Sequence, residues 1–260
     1  MNLENKNYYT YINNKTTPIV FIHGVGLDRN MWTPQINFFR KYSTLTYDLL
    51  GHGKTPFNKD KIIIEDYTHQ LISLIEDLKI SKLHLVGFSI GSLIAIDFAA
   101  NFNNKLSSLT LIATTYKRNQ KQRQEVIDRV NLAKSNKPIS KLALKRWFTD
   151  EYLEKNPKIY EEFMRILTKE PEEQKNFIKA YELFAHYKDD IEKIKKINTR
   201  TLVMTGSIDP GSTPEMSKNL SSDLKNSQYI EINKGKHLCS IECSDDVNIN
   251  IEKFIINDPN

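Results

Sequence analysis

The sequence predicts an α/β protein with a mostly parallel central sheet that is covered by helices on both faces. Short apolar runs alternate with helical patterns over most of the 260 residues, as is typical of such sheets. The runs are nearly all apolar, which is expected for strands that are buried on both faces. This alternation stops after Thr115 and resumes near residue 191, which predicts a helical insert.

Four strands are predicted before the insert, at the apolar runs 19–22, 43–49, 83–87 and 106–113. The stretches between them carry helical spacing at 31–39, 63–78 and 90–100, and Pro34 fits only near the start of its helix. Each strand is thus followed by a helical connection, as parallel pairing requires.

The insert, residues 116–190, is highly charged and is predicted to be entirely helical. Its helical patterns cover 120–132, 139–148, 160–166 and 177–187. After it, strands are predicted at 201–205 and 228–232, and helices at 214–220 and 247–256. The predicted organisation is therefore a core of residues 1–115 and 191–260, interrupted by the insert.

Composition excludes several classes of protein. The net charge of +5 is spread among nearly equal numbers of acidic residues, which argues against nucleic-acid binding but would help to attract an anionic small substrate. Cys239 and Cys243 have no second pair to complete a zinc site, so we expect no metal and no cofactor. We expect no membrane span, because no run of about 18 apolar residues exists. Residues 1–10 carry no signal-peptide pattern, so we expect a cytoplasmic protein.

The strongest local motif is Gly87-Phe88-Ser89-Ile90-Gly91, which fits G-x-S-x-G between a predicted strand and a predicted helix. A sharp turn there would expose the serine hydroxyl at the edge of the sheet. Larger side chains in place of the two glycines would collide with the neighbouring strand and helix. The motif therefore predicts that Ser89 is a nucleophile.

A second motif, His23-Gly24-Val25-Gly26, follows the first buried strand. Its glycines would let the main chain approach a substrate, so Gly24 is a candidate substrate contact. The N–H groups of Val25 and Ile90 would stabilise a developing oxyanion, helped by the helix that begins after Ser89. An ordinary turn is the alternative interpretation of His23-Gly24.

A carboxylate and a histidine follow the last two strands, at Asp209 and His237. The carboxyl ends of parallel strands are where open α/β sheets bind ligands. A serine hydroxyl needs a base, and the base needs a carboxylate to orient it. The sequence therefore predicts His237 as the base and Asp209 as its partner, while Asp48 is predicted to fix the turn at residues 51–53.

Together these motifs resemble the α/β-hydrolase superfamily over about residues 17–256. Arg146-Trp147-Phe148-Thr149 and Gly211-Ser212-Thr213-Pro214-Glu215-Met216 resemble, more closely, the branch of 3-oxoadipate enol-lactonases, which open an enol lactone in aromatic catabolism. The resemblance implies that the insert is a helical cap and that Trp147 faces the substrate, although Trp147 could equally serve only to pack the cap onto the core. The chain departs from the family at Lys236, where a small neutral residue is usual.

Three functions stay open at this point. The first is a serine hydrolase that cleaves a small ester or lactone, or an amide or carbon–carbon bond of a ring-cleavage product, with the same three residues. The second is a lyase or cofactor-free peroxidase that keeps these residues, and the third is a ligand receptor on a hydrolase fold. If Lys234 and Lys236 point inward, they would disfavour the charged imidazole of His237 and favour an anionic substrate. The alternative, which we prefer, is that both lysines point to solvent.

Overall fold

A seven-stranded sheet forms the centre of the molecule. The computed structural model describes residues 6–135 and 140–256. Its strands are β1 (Tyr9–Ile12), β2 (Ile19–Ile22), β3 (Thr44–Tyr47), β4 (Leu83–Phe88), β5 (Leu106–Ile112), β6 (Thr201–Gly206) and β7 (Ser227–Ile232). Their order in space is β1-β3-β2-β4-β5-β6-β7, and only β1 and β3 pair antiparallel. The predicted α/β class with a mostly parallel sheet is confirmed.

Helices connect the strands and cover the sheet. Before the insert they are α1 (Thr33–Phe38), α2 (Ile64–Asp77) and α3 (Ile90–Asn101). Between β5 and β6 lie α4 (Gln120–Lys134), α5 (Ser140–Trp147), α6 (Asp150–Lys155), α7 (Pro157–Leu167), α8 (Pro171–His186) and α9 (Ile191–Lys196). The last three are α10 (Pro214–Asp223), α11 (Cys239–Glu242) and α12 (Ser244–Ile256). Within the described part of the chain, no helix is long and apolar enough to cross a membrane.

Two hydrophobic clusters, one on each face of the sheet, explain the continuous apolar runs. Successive side chains of a strand point to opposite faces. Accordingly, Val20 and Ile22 of β2 belong to one cluster, and Ile19 and Phe21 belong to the other. All four are fully buried, which is why this strand has no polar position.

The sequence missed four short elements. Strand β1 was not predicted, because three of its four residues are threonine or tyrosine and it lies at the exposed edge of the sheet, where backbone pairing with β3 defines it. Helices α6, α9 and α11 were also missed, because pieces of four to six residues are too short for a helical period. The predicted helix 139–148 corresponds to α5, and residue 139 lies outside the described residues.

The insert helices occupy the position that the sequence predicts. Between β5 and β6 no described residue forms a strand. The boundaries at residues 115 and 190 stay predictions. Helix α9 lies just beyond the second one, where Lys193 forms an ion pair with the buried Asp97 of α3 and so joins this part of the chain to the core.

Candidate active site

Ser89 lies on a sharp turn between β4 and α3. Its backbone has φ 55° and ψ −117°, a region that L-residues other than glycine rarely adopt. Conformations of this kind cost about 1–3 kcal/mol and persist only where the surroundings hold them. The Ser89 N–H donates to the carbonyl of Ile112 on the neighbouring strand, at 2.9 Å. The turn brings the Ser89 side chain to the wall of a pocket at the carboxyl end of the sheet.

The two glycines of the motif are required by close packing. A Cβ on Gly87 would lie 2.8 Å from Cα of Ser92, inside helix α3. A Cβ on Gly91 would lie 2.7 Å from the carbonyl oxygen of His23 and 2.9 Å from the carbonyl carbon of Ile22. Side chains at either position would force the helix away from the sheet, as the sequence predicts.

A buried hydroxyl that the sequence analysis did not single out also holds this turn. Ser92 Oγ lies 2.7 Å from the carbonyl oxygen of Gly87 and 3.1 Å from that of Ile112, and it donates to this pair. The residue is fully buried. A serine three positions after the nucleophile, among the apolar residues at the start of the helix, was the available signal.

His237 and Asp209 form a buried pair at the ends of β7 and β6. His237 Nδ1 lies 2.7 Å from Asp209 Oδ2, and the other carboxylate oxygen accepts the N–H groups of Gly211 and Ser212 at 2.8 and 3.0 Å. Because the carboxylate accepts the Nδ1 proton, the imidazole presents Nε2 as a proton acceptor. His237 borders the same pocket as Ser89, and its ring packs 5.1 Å from that of Phe88, centroid to centroid.

The loop that carries His237 is attached to helix α5. Lys236 Nζ donates to the carbonyl of Lys145 in the last turn of α5, at 2.8 Å. The N–H of Leu238 donates to the carbonyl of Trp147 at 3.0 Å. Cations are favourable at helix carboxyl ends, where backbone carbonyls lack partners. Residues on both sides of the histidine therefore bind the insert.

These contacts account for the lysine that departs from the family pattern. Lys236 reaches the end of α5, and Lys234 is exposed at a position with φ 59°. Neither borders the pocket next to Ser89. In addition, Glu242 accepts the N–H groups of Lys236 and Thr149, so it also links the His237 loop to the residues after α5.

The loop after β2 approaches the pocket through Val25. Within the described residues, the N–H groups of Val25 and Ile90 donate to no other part of the fold, and Val25 lies on the pocket wall. Gly24 is buried, and a Cβ there would come 2.8 Å from the ring of Phe88. The pocket lining includes Val25 and Leu27 but not Gly24, so a substrate contact of Gly24 stays a prediction.

His23 is a fixed, uncharged link in this loop. Its Nδ1 donates to the carbonyl of Gly24 at 2.8 Å, and its Nε2 accepts the N–H of Leu49 at 2.9 Å. Burial lowers the pKa of His23 to about 4 and also lowers the pKa of the neighbouring His52. Asp48 accepts the N–H groups of Arg29 and Lys54, so it fixes this turn as predicted.

The pocket has one wall from the sheet edge and one from the insert helices; we call it the catalytic pocket. It holds about 470 Å³ of empty space, part of it open to solvent. It is lined by Val25, Leu27, Phe88, Ser89, Thr115, Val126, Arg129, Arg146, Trp147, Tyr181, Phe184, Gly211, Ser212 and His237. Half of these residues are apolar or aromatic, and the polar ones lie among them, as in sites for small organic ligands.

Trp147 both borders the catalytic pocket and packs within the insert. Its ring meets Phe163 of the insert edge to face at 6.2 Å. Trp147 also belongs to the same hydrophobic cluster as Phe88 and Ile112 of the sheet, which agrees with the interpretation that it packs the cap onto the core. Its Nε1 is buried and has no hydrogen-bond partner among the described residues. An indole N–H that is left without a partner is a donor that a bound ligand can use.

Two arginines of the pocket wall were not predicted. Arg129 comes from α4 and Arg146 from α5. Arg146 stood in the quoted motif beside Trp147, which was a usable signal. Arg129 is one of several charged residues in its helix. Only the packing of the insert shows that it, and not one of the others, borders the catalytic pocket. Among the described residues, no group of three or more His, Cys, Asp and Glu side chains is arranged to hold a metal ion.

The fold and the arrangement at the sheet edge define a hydrolase of the α/β type. A family model described as the alpha/beta hydrolase fold matches residues 17–242, so the chain belongs to this family. Enol-lactonases are among its relatives. The chain is 25% identical, over 91% of its length and 87% of the relative's, to 3-oxoadipate enol-lactonase 2 of Acinetobacter baylyi.

Another relative and a solved structure extend the comparison. The chain is 28% identical to (E)-2-((N-methylformamido)methylene)succinate hydrolase of Acinetobacter baylyi, over 93% of this chain and 91% of the relative. The crystal structure of the enol-lactonase from Burkholderia xenovorans LB400 superposes with a TM-score of 0.87, covering 96% of both chains at 23% identity. The fold is therefore that of an α/β-hydrolase resembling enol-lactonases.

Proposed function

We propose that this hydrolase cleaves a small carboxylic ester or lactone through an acyl-enzyme on Ser89. The observation that carries the proposal is the His237–Asp209 pair, with 2.7 Å between Nδ1 and Oδ2, beside a serine whose backbone is held at φ 55°. A base with a fixed tautomer next to a strained, pocket-facing serine is the arrangement that activates a hydroxyl.

In the proposed reaction, Ser89 Oγ attacks the carbonyl carbon while His237 Nε2 takes the hydroxyl proton. The oxygen of the carbonyl becomes negatively charged and accepts hydrogen bonds from the N–H groups of Val25 and Ile90. Collapse of this intermediate breaks the bond to the alkoxide or enolate, which receives the proton from His237. Water, deprotonated by His237, then attacks the acyl-enzyme, and release of the acid restores Ser89.

The choice of an ester or lactone is supported by the chain's likeness to enol-lactonases. An enolate is also a good leaving group, so a lactone of this type needs little assistance to open. An amide is the second candidate, because the relative at 28% identity is named for a substrate with an N-methylformamido group. The same three residues could cleave either bond. For the amide, proton transfer from His237 to the leaving nitrogen would be more important.

The test is the kcat/KM for 3-oxoadipate enol-lactone, followed by loss of its ultraviolet absorbance, with Ser89→Ala as the blank. We expect about 10⁴ M⁻¹s⁻¹ or more, abolished in the variant. An activated aryl ester is measured in parallel. Ser89-dependent hydrolysis of the aryl ester without turnover of the lactone would support the serine-hydrolase activity and contradict the lactonase activity. Formamide substrates would then be tested. No Ser89-dependent hydrolysis of either compound would contradict the proposal.

A further inference from the structure

Helix α11 begins two residues after His237 and is bonded to the core on one side. Gln35 of α1 is fully buried, and its Nε2 donates to the carbonyl of Ser240 at 2.7 Å and to Asn248 Oδ1 at 2.9 Å. This side chain therefore joins α1, α11 and α12. Because hydrogen bonds in a buried environment are strong, these contacts fix the position of α11 on the core.

The last residue of α11, Glu242, connects two other parts of the chain through its two carboxylate oxygens. Its Oε1 accepts the N–H of Thr149 at 3.0 Å and also accepts the hydroxyl proton of this threonine. Its Oε2 accepts the N–H of Lys236 at 3.3 Å. Thr149 lies in the insert between α5 and α6, and Lys236 directly precedes His237. We call Glu242, Thr149 and Lys236 the Glu242 bridge, since they join the insert to the loop of the proposed base.

Two further bonds hold the same loop against the insert. Lys236 Nζ donates to the carbonyl of Lys145 at 2.8 Å, and the N–H of Leu238 donates to the carbonyl of Trp147 at 3.0 Å. Both carbonyls belong to the last turn of α5, whose Trp147 side chain borders the catalytic pocket. The residues immediately before and after His237 are therefore bonded to one turn of the insert.

A catalytic base works only within a narrow range of positions, because a displacement of about 1 Å can lower a rate about 100-fold. Asp209 orients the imidazole of His237 through the 2.7 Å bond to Nδ1. The distance from the imidazole to Ser89 depends, in addition, on the main chain that carries His237. Among the residues that the structure places around the catalytic pocket, none belongs to the Glu242 bridge. The bridge can therefore affect the base without touching a substrate.

We propose that the insert positions the base, because the Glu242 bridge holds the loop of His237 at the distance from Ser89 that proton transfer requires. The inference rests on the proposed function, which assigns His237 as the base. Glu242, Thr149 and Lys236 are positioning residues, since they act through His237. The insert thus has a role besides lining the catalytic pocket: loss of its bonds to this loop slows proton transfer while the substrate still binds.

The test uses variants of similar shape on both sides of the bridge. Glu242→Gln leaves one acceptor oxygen and places an amide NH₂ group against the other N–H donor, so it cannot bond both Thr149 and Lys236 as the carboxylate does. Thr149→Val removes the hydroxyl and keeps the shape, whereas Thr149→Ser keeps the hydroxyl. Thr149 Oγ1 also caps α6 by accepting the N–H of Tyr152 at 3.2 Å. The matched control is therefore Asn119→Ala, which removes the N-cap of α4 elsewhere in the insert.

The kinetic quantities are kcat and KM for 4-nitrophenyl acetate, and urea unfolding shows that each variant is folded under the assay conditions. We expect Glu242→Gln to lower kcat about 10- to 100-fold, the range for hydrogen bonds to a charged group. We expect Thr149→Val to lower kcat about tenfold, and Thr149→Ser to recover most of this loss. KM should stay close to the wild-type value in all of them, and Asn119→Ala should keep the wild-type kcat. A merely structural role would change the unfolding curve and leave the kcat of the folded protein unchanged.

The position of the imidazole can also be measured without turnover. The Nδ1 proton of a histidine that is bonded to a carboxylate gives a proton NMR signal at low field, and its loss in His237→Asn assigns it. We expect Glu242→Gln and Thr149→Val to shift or broaden this signal and Asn119→Ala to leave it in place.

An unchanged kcat in both bridge variants would overturn the inference, and so would a lower kcat with an unchanged NMR signal, because the effect would then not act through His237. An equal loss of kcat in Asn119→Ala would overturn it as well. A signal that depends on the bridge, in a protein without Ser89-dependent hydrolysis, would instead contradict the proposed function and support the positioning of His237 by the insert.

Discussion

Gly206 lies where the loop of Asp209 touches the loop of His237. A Cβ on this glycine would lie 2.5 Å from the carbonyl carbon of Gly235 and still closer to the carbonyl oxygens of Gly235 and Lys236. The backbone of Ile208 donates to that Gly235 oxygen at 3.1 Å, so the two loops are in direct contact. The variant Gly206→Ala forces them apart.

The size of the effect follows from these distances. Ordinary van der Waals contact begins at 3.4 Å, so the loops must separate by at least about 0.9 Å. A separation along the 2.7 Å bond between His237 and Asp209 would lengthen this bond to about 3.6 Å or more. A displacement of about 1 Å in a catalytic arrangement can lower the rate about 100-fold. Overpacking of this kind also destabilises by about 1–3 kcal/mol.

The assay measures kcat for an activated aryl ester and the free energy of unfolding in urea. We expect Gly206→Ala to lower kcat about 100-fold while the protein stays folded. Gly211→Ala is the matched control for stability, because its Cβ would lie 3.6 Å from Asp209 Oδ1, and we expect a change within about 0.5 kcal/mol. A kcat close to wild type in Gly206→Ala would refute the reasoning that contact between these loops sets the geometry of the pair.

Three further predictions concern the same elements. Asp209→Asn should lower kcat about 10⁴-fold with an unchanged unfolding curve, because the imidazole of His237 would lose its required tautomer; near-normal turnover would point to another carboxylate. Burial lowers the pKa of His23 from 6.5 to about 4. The neutral imidazole therefore contributes to the stability of the folded state fully above pH 6.5, and this contribution is lost as the pH falls toward 4. His23 alone should therefore lower the free energy of unfolding by about 2 kcal/mol between pH 7.5 and 5, and His52, whose pKa burial also lowers, should add to this drop. His186→Gln, which removes an exposed histidine, should show the same drop as the wild type, and a flat curve would contradict the prediction. Ser92→Ala should destabilise by about 1–3 kcal/mol, because the buried carbonyl of Gly87 loses its hydroxyl donor, whereas that of Ile112 keeps the Ser89 N–H. Unchanged urea unfolding would exclude that role.

The sheet could be predicted because burial on both faces leaves a clear trace in the sequence. Strand β2 is a continuous apolar run and strands β4, β5 and β6 consist mainly of apolar residues and glycine, and each of the four ends close to the predicted residue. The edge strand β1 leaves no such trace, because its backbone pairs with β3 while its side chains remain partly exposed. Pairing through the backbone is independent of side-chain polarity, so the pattern could not reveal it.

The positions of Ser89, Asp209 and His237 could be predicted because each follows a strand of a parallel sheet. The carboxyl ends of such strands meet at one edge, so sequence order places these residues together without knowledge of the packing. The structure brings His237 and Asp209 into contact and places Ser89 and His237 on one pocket. The roles of the three residues in catalysis stay predictions.

The contribution of the insert could not be predicted in the same way. Its helices carry charged residues at many positions, and which of these face the catalytic pocket depends on how the helices pack on the core. Arg129 therefore had no distinguishing pattern, whereas Trp147 was identified through its resemblance motif. The attachment of Lys236 to the end of α5 likewise depends on a contact between residues 91 positions apart.

The measurement that tests the central claim most directly is covalent labelling with an alkyl fluorophosphonate, followed by intact-mass spectrometry and peptide mapping. A serine hydroxyl that is activated by a base attacks phosphorus and expels fluoride, which leaves a stable adduct. The account predicts one adduct per chain on Ser89, none in Ser89→Ala, and much slower labelling in His237→Asn. An adduct on another residue, or labelling that is unaffected by either substitution, would contradict the claim that Ser89 and His237 form a nucleophile and its base.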